Sequence, residues 1–188
     1  MKIEYPKPPE PDFMSEDTKY ILDACCGSRM FWFDRQQKNT VYMDNREFED
    51  TLCDGRRLIV KPDIVGDFRQ IPFPDETFRL VVFDPPHLRH GGDKSWIVKK
   101  YGKLNPRLWK DDLRAGFNEC FRVLIPCGVL VFKWNEQQIP LGQIVPLAPE
   151  RPLFGQKSGR THWLVYMKSL ASVKQNEKKP NQEGETQC

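Results

Sequence analysis

The tightest constraint on the fold of this chain is a series of short, almost wholly apolar runs, most of which stop at or beside an acid. They read "YILDACC", "TVYMD", "DIVGD", "RLVVFD", "GVLVFKW" and "THWLVYMK". A strand with one face in water alternates apolar and polar residues, whereas an unbroken apolar run bounded by turn signals belongs to a strand covered on both faces, as in a parallel sheet. Between the fourth and fifth runs, Leu113, Phe117, Cys120, Phe121 and Leu124 recur at helical spacing, which predicts an amphipathic helix over 107–124 that starts at Pro106. Buried strands alternating with such a helix make the expected class α/β, a doubly wound sheet with helices on both faces.

One domain accounts for the chain. Its 188 residues are 39% apolar and include twelve phenylalanines and five tryptophans, enough to close a single core. The opening "MKIEYPKPPEPDF" holds four prolines in its first eleven residues, which predicts an extended arm over 1–18. Residues 171–188 have almost nothing to bury and read as a disordered tail, so the folded domain is expected over 19–170. The six cysteines, Cys25, Cys26, Cys53, Cys120, Cys127 and Cys188, include no CxxC pair. With no secretory signal at the start, they read as free thiols of a reducing cytoplasm rather than as disulfides or a metal site. No run approaches the roughly 20 apolar residues that span a bilayer, so a soluble, cytoplasmic protein with no membrane partner is expected. A net charge of +3 is too small to announce a nucleic-acid partner on its own.

Ligands of an open α/β sheet bind in the crevice beyond the carboxyl ends of its strands. Four of the runs carry an aspartate there: Asp23, Asp44, Asp67 and Asp84. A single such acid is commonly a helix cap or a turn residue, but four on successive strands suggest a site. After Asp23 the loop "ACCGSR" keeps only Gly27 of a nucleotide-binding glycine pattern, which weighs against a dinucleotide. Asp44, 21 residues beyond Asp23, stands where an acid accepts both hydroxyls of a ribose. Asp67 has the chemistry to accept from an adenine amine and Phe68 to cover the ring, or the pair forms an ordinary turn.

The phrases "ILDACCGSR", "YMD", "GDFRQIPFPDETFRLVVFDPP" and "FRVLIPCGVLVF" occur in that order and resemble the motif set of class I S-adenosylmethionine-dependent methyltransferases. The resemblance spans about residues 19–168 and implies a Rossmann-like, seven-stranded, mostly parallel sheet whose last strand, "THWLVYMK", is antiparallel. It implies S-adenosylmethionine as cofactor, with Asp23, Ala24, Cys25 and Gly27 at its methionine end, Asp44 at the ribose, Asp67 and Phe68 at the adenine, and Asp84 closing the crevice. Cys25 and Arg29 stand where the family has glycines. Arg29 is therefore a candidate for the cofactor's carboxylate or for a solvent-facing helix start. The short segment from Asp44 to Asp67 suggests a second crossover without a full helix.

The fourth strand ends in "DPPHLRHGG". Two prolines cannot continue a ladder, so Asp84, Pro85, Pro86 and His87 fall at the strand's end. Transfer of a methyl group to a ring amine needs the amine's lone pair localised, and acceptors for its N–H groups at Asp84 and the Pro85 carbonyl favour the attacking geometry. The stretch resembles the (Asn/Asp)-Pro-Pro-(Tyr/Phe/Trp) signature of adenine-N6 and cytosine-N4 methyltransferases, with His87 in the aromatic slot. His87 either stacks or accepts a proton. Residues 94–110 then hold six basic residues, no acid and three aromatics. Lys94, Lys99, Lys100, Tyr101 and Lys103 are the candidates there for contact with nucleic acid, and Gly91 and Gly92 suit a lid. With no separate target-recognition domain, a DNA or RNA methyltransferase of this kind would work with a protein partner or on accessible strands. The other readings are a methyltransferase of small metabolites and a cofactor-binding scaffold without activity.

Overall fold

The computed structural model describes residues 18–92 and 95–170. The proline-rich arm apart from Thr18, the tail and Lys94 lie outside the described residues. The strands are β1 (Ile21–Asp23), β2 (Thr40–Asp44), β3 (Phe48–Thr51), β4 (Arg57–Val60), β5 (Ile64–Val65), β6 (Phe78–Phe83), β7 (Leu124–Asn135), β8 (Phe154–Ser158) and β9 (Thr161–Met167), with helices α1 (Trp96–Tyr101) and α2 (Trp109–Val123) between β6 and β7. Seven strands form one sheet in the order β5-β2-β1-β6-β7-β9-β8. All neighbours from β5 to β7 run parallel, and β9 runs antiparallel to β7 and to β8. The fold is thus the Rossmann-like, mostly parallel sheet with an antiparallel last strand that the motif order implies.

The six apolar runs fall on β1, β2, β5, β6, β7 and β9, and β2 is buried at every position. The seventh strand, β8, is exposed throughout and closes one edge of the sheet. Along β7 and β9 alternate side chains point to opposite faces. On one face Phe117 of α2 meets Phe83, Phe132 and Tyr166 at centroid distances of 5.4, 4.8 and 6.1 Å. Burial of such rings contributes about 1.5–3 kcal/mol each. On the other face, the doubly wound pattern predicts helical crossovers, but the first crossover, 24–39, is a succession of turns. It is fastened by its aromatics: Phe31 sits edge-on to Trp163 at 5.5 Å and Trp32 to Tyr42 at 5.3 Å. The second crossover is the antiparallel β3–β4 hairpin, which agrees with the expectation that it lacks a full helix.

Helix α2 begins three residues after Pro106, because Asn105 first closes a turn ahead of it; the N-cap position itself, Leu108, has no side-chain cap. Asn105 Oδ1 accepts the amides of Arg107 at 2.9 Å and Leu108 at 3.3 Å, which holds 106–108 in a turn. Gly116 lets the helix come close to the sheet. A Cβ there would stand 2.6 Å from the Phe68 ring and 2.7 Å from Phe83, so this glycine also fixes where Phe68 can lie. Among the described residues no helix is long and apolar enough to cross a membrane.

Candidate active site

The strand order reverses direction at β1, which lies between β2 and β6. The crevice beyond that point is where ligands of such sheets bind. A cavity of about 200 Å³ opens there, walled by Ala24, Cys25 and Gly27 after β1, Asp44 and Arg46 at the end of β2, Gly66 and Phe68 after β5, Asp84 to His87 after β6, Lys100 and Tyr101 of α1, and Lys133 of β7.

The first loop divides its work between the cavity and the first crossover. Asp23 is fully buried and is not on the cavity wall. Its carboxylate accepts Trp32 Nε1–H at 2.7 Å and the Cys25 amide at 3.3 Å. Burial pushes its carboxyl up to about 7, against those two hydrogen bonds. Asp23, expected at the cofactor, here clamps the first crossover and does not line the cavity. Gly27, at φ +49°, turns the chain so that its amide donates to Asp44 Oδ2 at 2.9 Å. Arg29 points away from the cavity, donating to the carbonyls of Arg35 and Lys61 and to Asp63 at 2.9, 2.8 and 3.1 Å, with its guanidinium 3.7 Å from the Tyr42 ring centre. No helix forms there for it to begin, so the helix-start alternative fails, and its guanidinium is held by these partners away from the cavity. Burial raises the Cys25 thiol well above its ordinary range and Cys26 to about 12, so both stay protonated and neither is a nucleophile at neutral pH.

Asp44 lies on the wall at the place expected for a ribose acid. Arg46 grips it through its amide at 3.0 Å, Nε at 2.9 Å and Nη2 at 3.2 Å, and also reaches the Lys99 carbonyl at 3.1 Å. Asp67 does not reach the cavity. Arg69 pairs it at 2.5 Å and bridges to Asp112 at 2.9 Å, which holds the Asp67 carboxyl below its ordinary value. Of the expected adenine pair only Phe68 is on the wall, while Asp67 closes a turn through the Gln70 and Arg69 amides.

At the end of β6, Asp84 Oδ2 accepts Lys133 Nζ at 2.5 Å, while its Oδ1 takes no hydrogen bond among the described residues. Burial raises Asp84 and the Lys133 ammonium draws it back, with a net upward shift. Lys133 itself lies 5.4 Å from the Phe31 ring centre and 5.6 Å from that of Trp163. His87 is buried, tilted against Tyr101 at 5.2 Å and edge-on to Trp134 at 6.3 Å. Its burial, then the charge of Lys133, lowers its pKa to about 4. At that value the ring is neutral at physiological pH, and with Tyr101 it gives the cavity an aromatic wall.

The basic segment splits. Lys100 and Tyr101 line the cavity, with the Lys100 ammonium 5.2 Å from the Tyr101 ring centre. Lys99 pairs with Asp50 of the β3–β4 hairpin at 2.5 Å, and Lys103 reaches the Gly91 carbonyl at 3.4 Å. Lys99 and Lys103 thus stay off the cavity wall. Sequence reasoning missed Lys133, Arg46 and Phe31. A lone cation inside "VLVFKW" is the signal that could have found Lys133, since buried charge demands a partner.

Whether this cavity suits S-adenosylmethionine follows from its donor set. Asp44 offers acceptors to a ribose once Arg46 yields an oxygen, Phe68 offers an apolar wall to an adenine, and the positive-φ turn at Gly27 lets the backbone come close. These residues fit the group without Asp67, Asp23 or Arg29.

No family model matches the chain, and no curated protein matches it. Among solved structures it is similar to the PH0226 protein of Pyrococcus horikoshii, at a TM-score of 0.52 and 18% identity over 79% of this chain and 81% of that one. It is also similar to HI0767 of Haemophilus influenzae, provisionally described as a methylase (TM-score 0.43, 12% identity, 81% and 88% covered). A third is a provisionally described sarcosine dimethylglycine methyltransferase of Galdieria sulphuraria (TM-score 0.44, 14% identity, 81% and 80% covered). At these identities the likeness is one of fold alone, and the Rossmann-like class rests on the strand order itself.

Proposed function

We propose that the protein is an S-adenosylmethionine-dependent methyltransferase that acts on an amine nitrogen of a nucleobase. The observation that carries this reading is that Asp84 and Pro85 share one cavity, at the switch point of the sheet, with Asp44, Gly27 and Phe68. Bound S-adenosylmethionine supplies an electrophilic methyl group on a sulfonium. Asp44 would hold its ribose and Phe68 its adenine. Asp84 Oδ1 and the Pro85 carbonyl accept the N–H groups of the acceptor amine and localise its lone pair. Pro85 and Pro86 end the ladder and bring no N–H of their own to compete for these acceptors. Lys133 keeps Asp84 ionised against the cost of burial, and His87 with Tyr101 forms an aromatic wall for a planar acceptor. The amine's surplus proton leaves through Asp84 to water.

A second reading, methylation of a small metabolite, is favoured by the way Lys100 and Tyr101 narrow the cavity. One experiment separates the two. The protein is incubated with methyl-labelled cofactor and either total nucleic acid or a metabolite extract, and the products are read by mass spectrometry. Label on adenine or cytosine supports the proposal, and label confined to metabolites overturns it in favour of the second reading.

A further inference from the structure

Behind the 25–29 loop, sharing Gly27 and Ser28 with the cavity, lies a second and larger cleft of about 610 Å³. Five cationic side chains line it, Lys19, Arg29, Arg35, Lys38 and Lys61, against one acid, Asp63. Asp63 is already shared by Arg29 at 3.1 Å and Lys19 at 3.7 Å. Arg35, Lys38 and Lys61 are exposed, and their side chains have neither an ion pair nor a hydrogen bond among the described residues. The nearby Asp34 caps its own turn through the Gln36 amide at 2.9 Å and does not line the cleft.

This clustering is built by the fold. Arg29 donates to the carbonyls of both Arg35 and Lys61, tying the first crossover to the chain leading into β5, so that their two side chains are brought to one place. Close like charges repel, and a protein that holds three of them unpaired in one concave surface has left them for an external anion. Next to them, two residues before Arg35, stands Phe33, whose ring is wholly in solvent. Its neighbours Phe31 and Trp32 turn inward to fasten the crossover. Unpaired cations that track phosphates beside an exposed ring that stacks on a base are the two parts of a single-strand platform. Inorganic phosphate has no use for the ring.

We infer that this cleft binds the phosphodiester backbone of single-stranded nucleic acid, with Arg35, Lys38 and Lys61 on phosphates and Phe33 against a base. The binding stands by itself; that the strand delivers its base across the Gly27–Ser28 turn into the cavity rests on the proposed reaction.

The test uses the full chain, without cofactor, and a fluorescein-labelled single-stranded 20-mer followed by anisotropy between 50 and 200 mM salt. The comparison is with the triple variant Arg35→Glu, Lys38→Glu, Lys61→Glu, with Phe33→Ala, and with Lys110→Glu on α2 as a charge control. The triple variant should lose at least about tenfold in affinity, and its salt slope should fall by about 2, as three phosphate contacts on a single strand require. Phe33→Ala should lose about fivefold with the slope unchanged, and Lys110→Glu should stay within twofold. Wild-type affinity in the triple variant overturns the assignment, as does equal binding of duplex or of inorganic polyphosphate. If the strand binds and the triple variant loses it while no base is methylated, the cleft stands and the proposed reaction falls. Undiminished base methylation by a triple variant that has lost the strand overturns the delivery and leaves both the binding and the reaction.

Discussion

The cavity and the cleft lie on either side of the same Gly27–Ser28 turn, and they treat charge in opposite ways. In and under the cavity, Asp44 is held by Arg46, Asp84 by Lys133, and Asp23 by the Trp32 indole. In the cleft, Arg35, Lys38 and Lys61 are left to water. A buried charge without a partner costs several kcal/mol, so the cavity can keep its acids only by pairing them. An exposed cation has no such debt, and its field reaches about 8–10 Å through physiological salt. Paired, buried groups can orient a reacting atom; unpaired, exposed ones can only gather a ligand of opposite charge. The difference is the one that the two proposals need: a site of chemistry on one side of the turn and of recruitment on the other.

The sharpest way to break that contrast is Asp84→Ala. It should lower turnover by about 10²–10³-fold while cofactor affinity, measured by calorimetry, changes by no more than a few-fold. Equal loss of both would make Asp84 a binding residue like those of the cleft. Lys133→Met comes next. Without the ammonium the Asp84 carboxyl moves further upward and a larger share of it is protonated at a given pH, so activity should fall by about tenfold or more at neutral pH and recover as the pH is raised. A loss of the same size at every pH would remove Lys133 from the control of Asp84.

His87→Ala should cost about tenfold in turnover through loss of an aromatic wall, and His87→Tyr should restore most of it. Because His87 is neutral above about 4, the pH profile of the native protein should show no limb near 6.5, and one there would contradict its assignment as a wall. Asp23→Asn tests the buried side through stability. The folded carboxyl titrates at about 7 against an ordinary 3.8, so the native state holds the extra proton and its advantage is lost as pH rises from about 4 through 7. The variant, which can still accept from Trp32, should gain melting temperature over the native protein at pH 8 and gain little at pH 5. The smallest effect belongs to Asp67→Ala, which should change cofactor affinity by less than twofold, since Arg69 and Asp112 hold that acid outside the cavity.

How much of this was legible varied with the range of the interaction. The run "TVYMD" announces a strand buried at every position, and Leu113, Phe117, Cys120 and Phe121 announce the packed face of α2, because period and burial are written locally. Strand β8, "FGQKS", carries no apolar run, since an exposed edge strand is held by its ladder to β9. Asp67 shares its strand-end position with Asp44 and Asp84 and was read the same way. Its side chain goes instead to Arg69, two residues on, whose guanidinium also reaches Asp112 on α2, a contact across 43 residues of chain that no local pattern displays.

By itself, then, the sequence determined the class of fold, the places where strands end, and that Asp44, Asp84, the proline pair and His87 meet at one crevice, because alternation of short buried strands with long crossovers admits few topologies and all of them collect strand ends on one side. Only the tertiary structure decided which of the strand-end acids face that crevice, that Lys133 belongs to Asp84, that His87 packs against Tyr101 and Trp134, and that Arg35, Lys38 and Lys61 gather behind the loop. Those outcomes turn on desolvation and on partners distant in the chain, and both are set when the elements pack and not before.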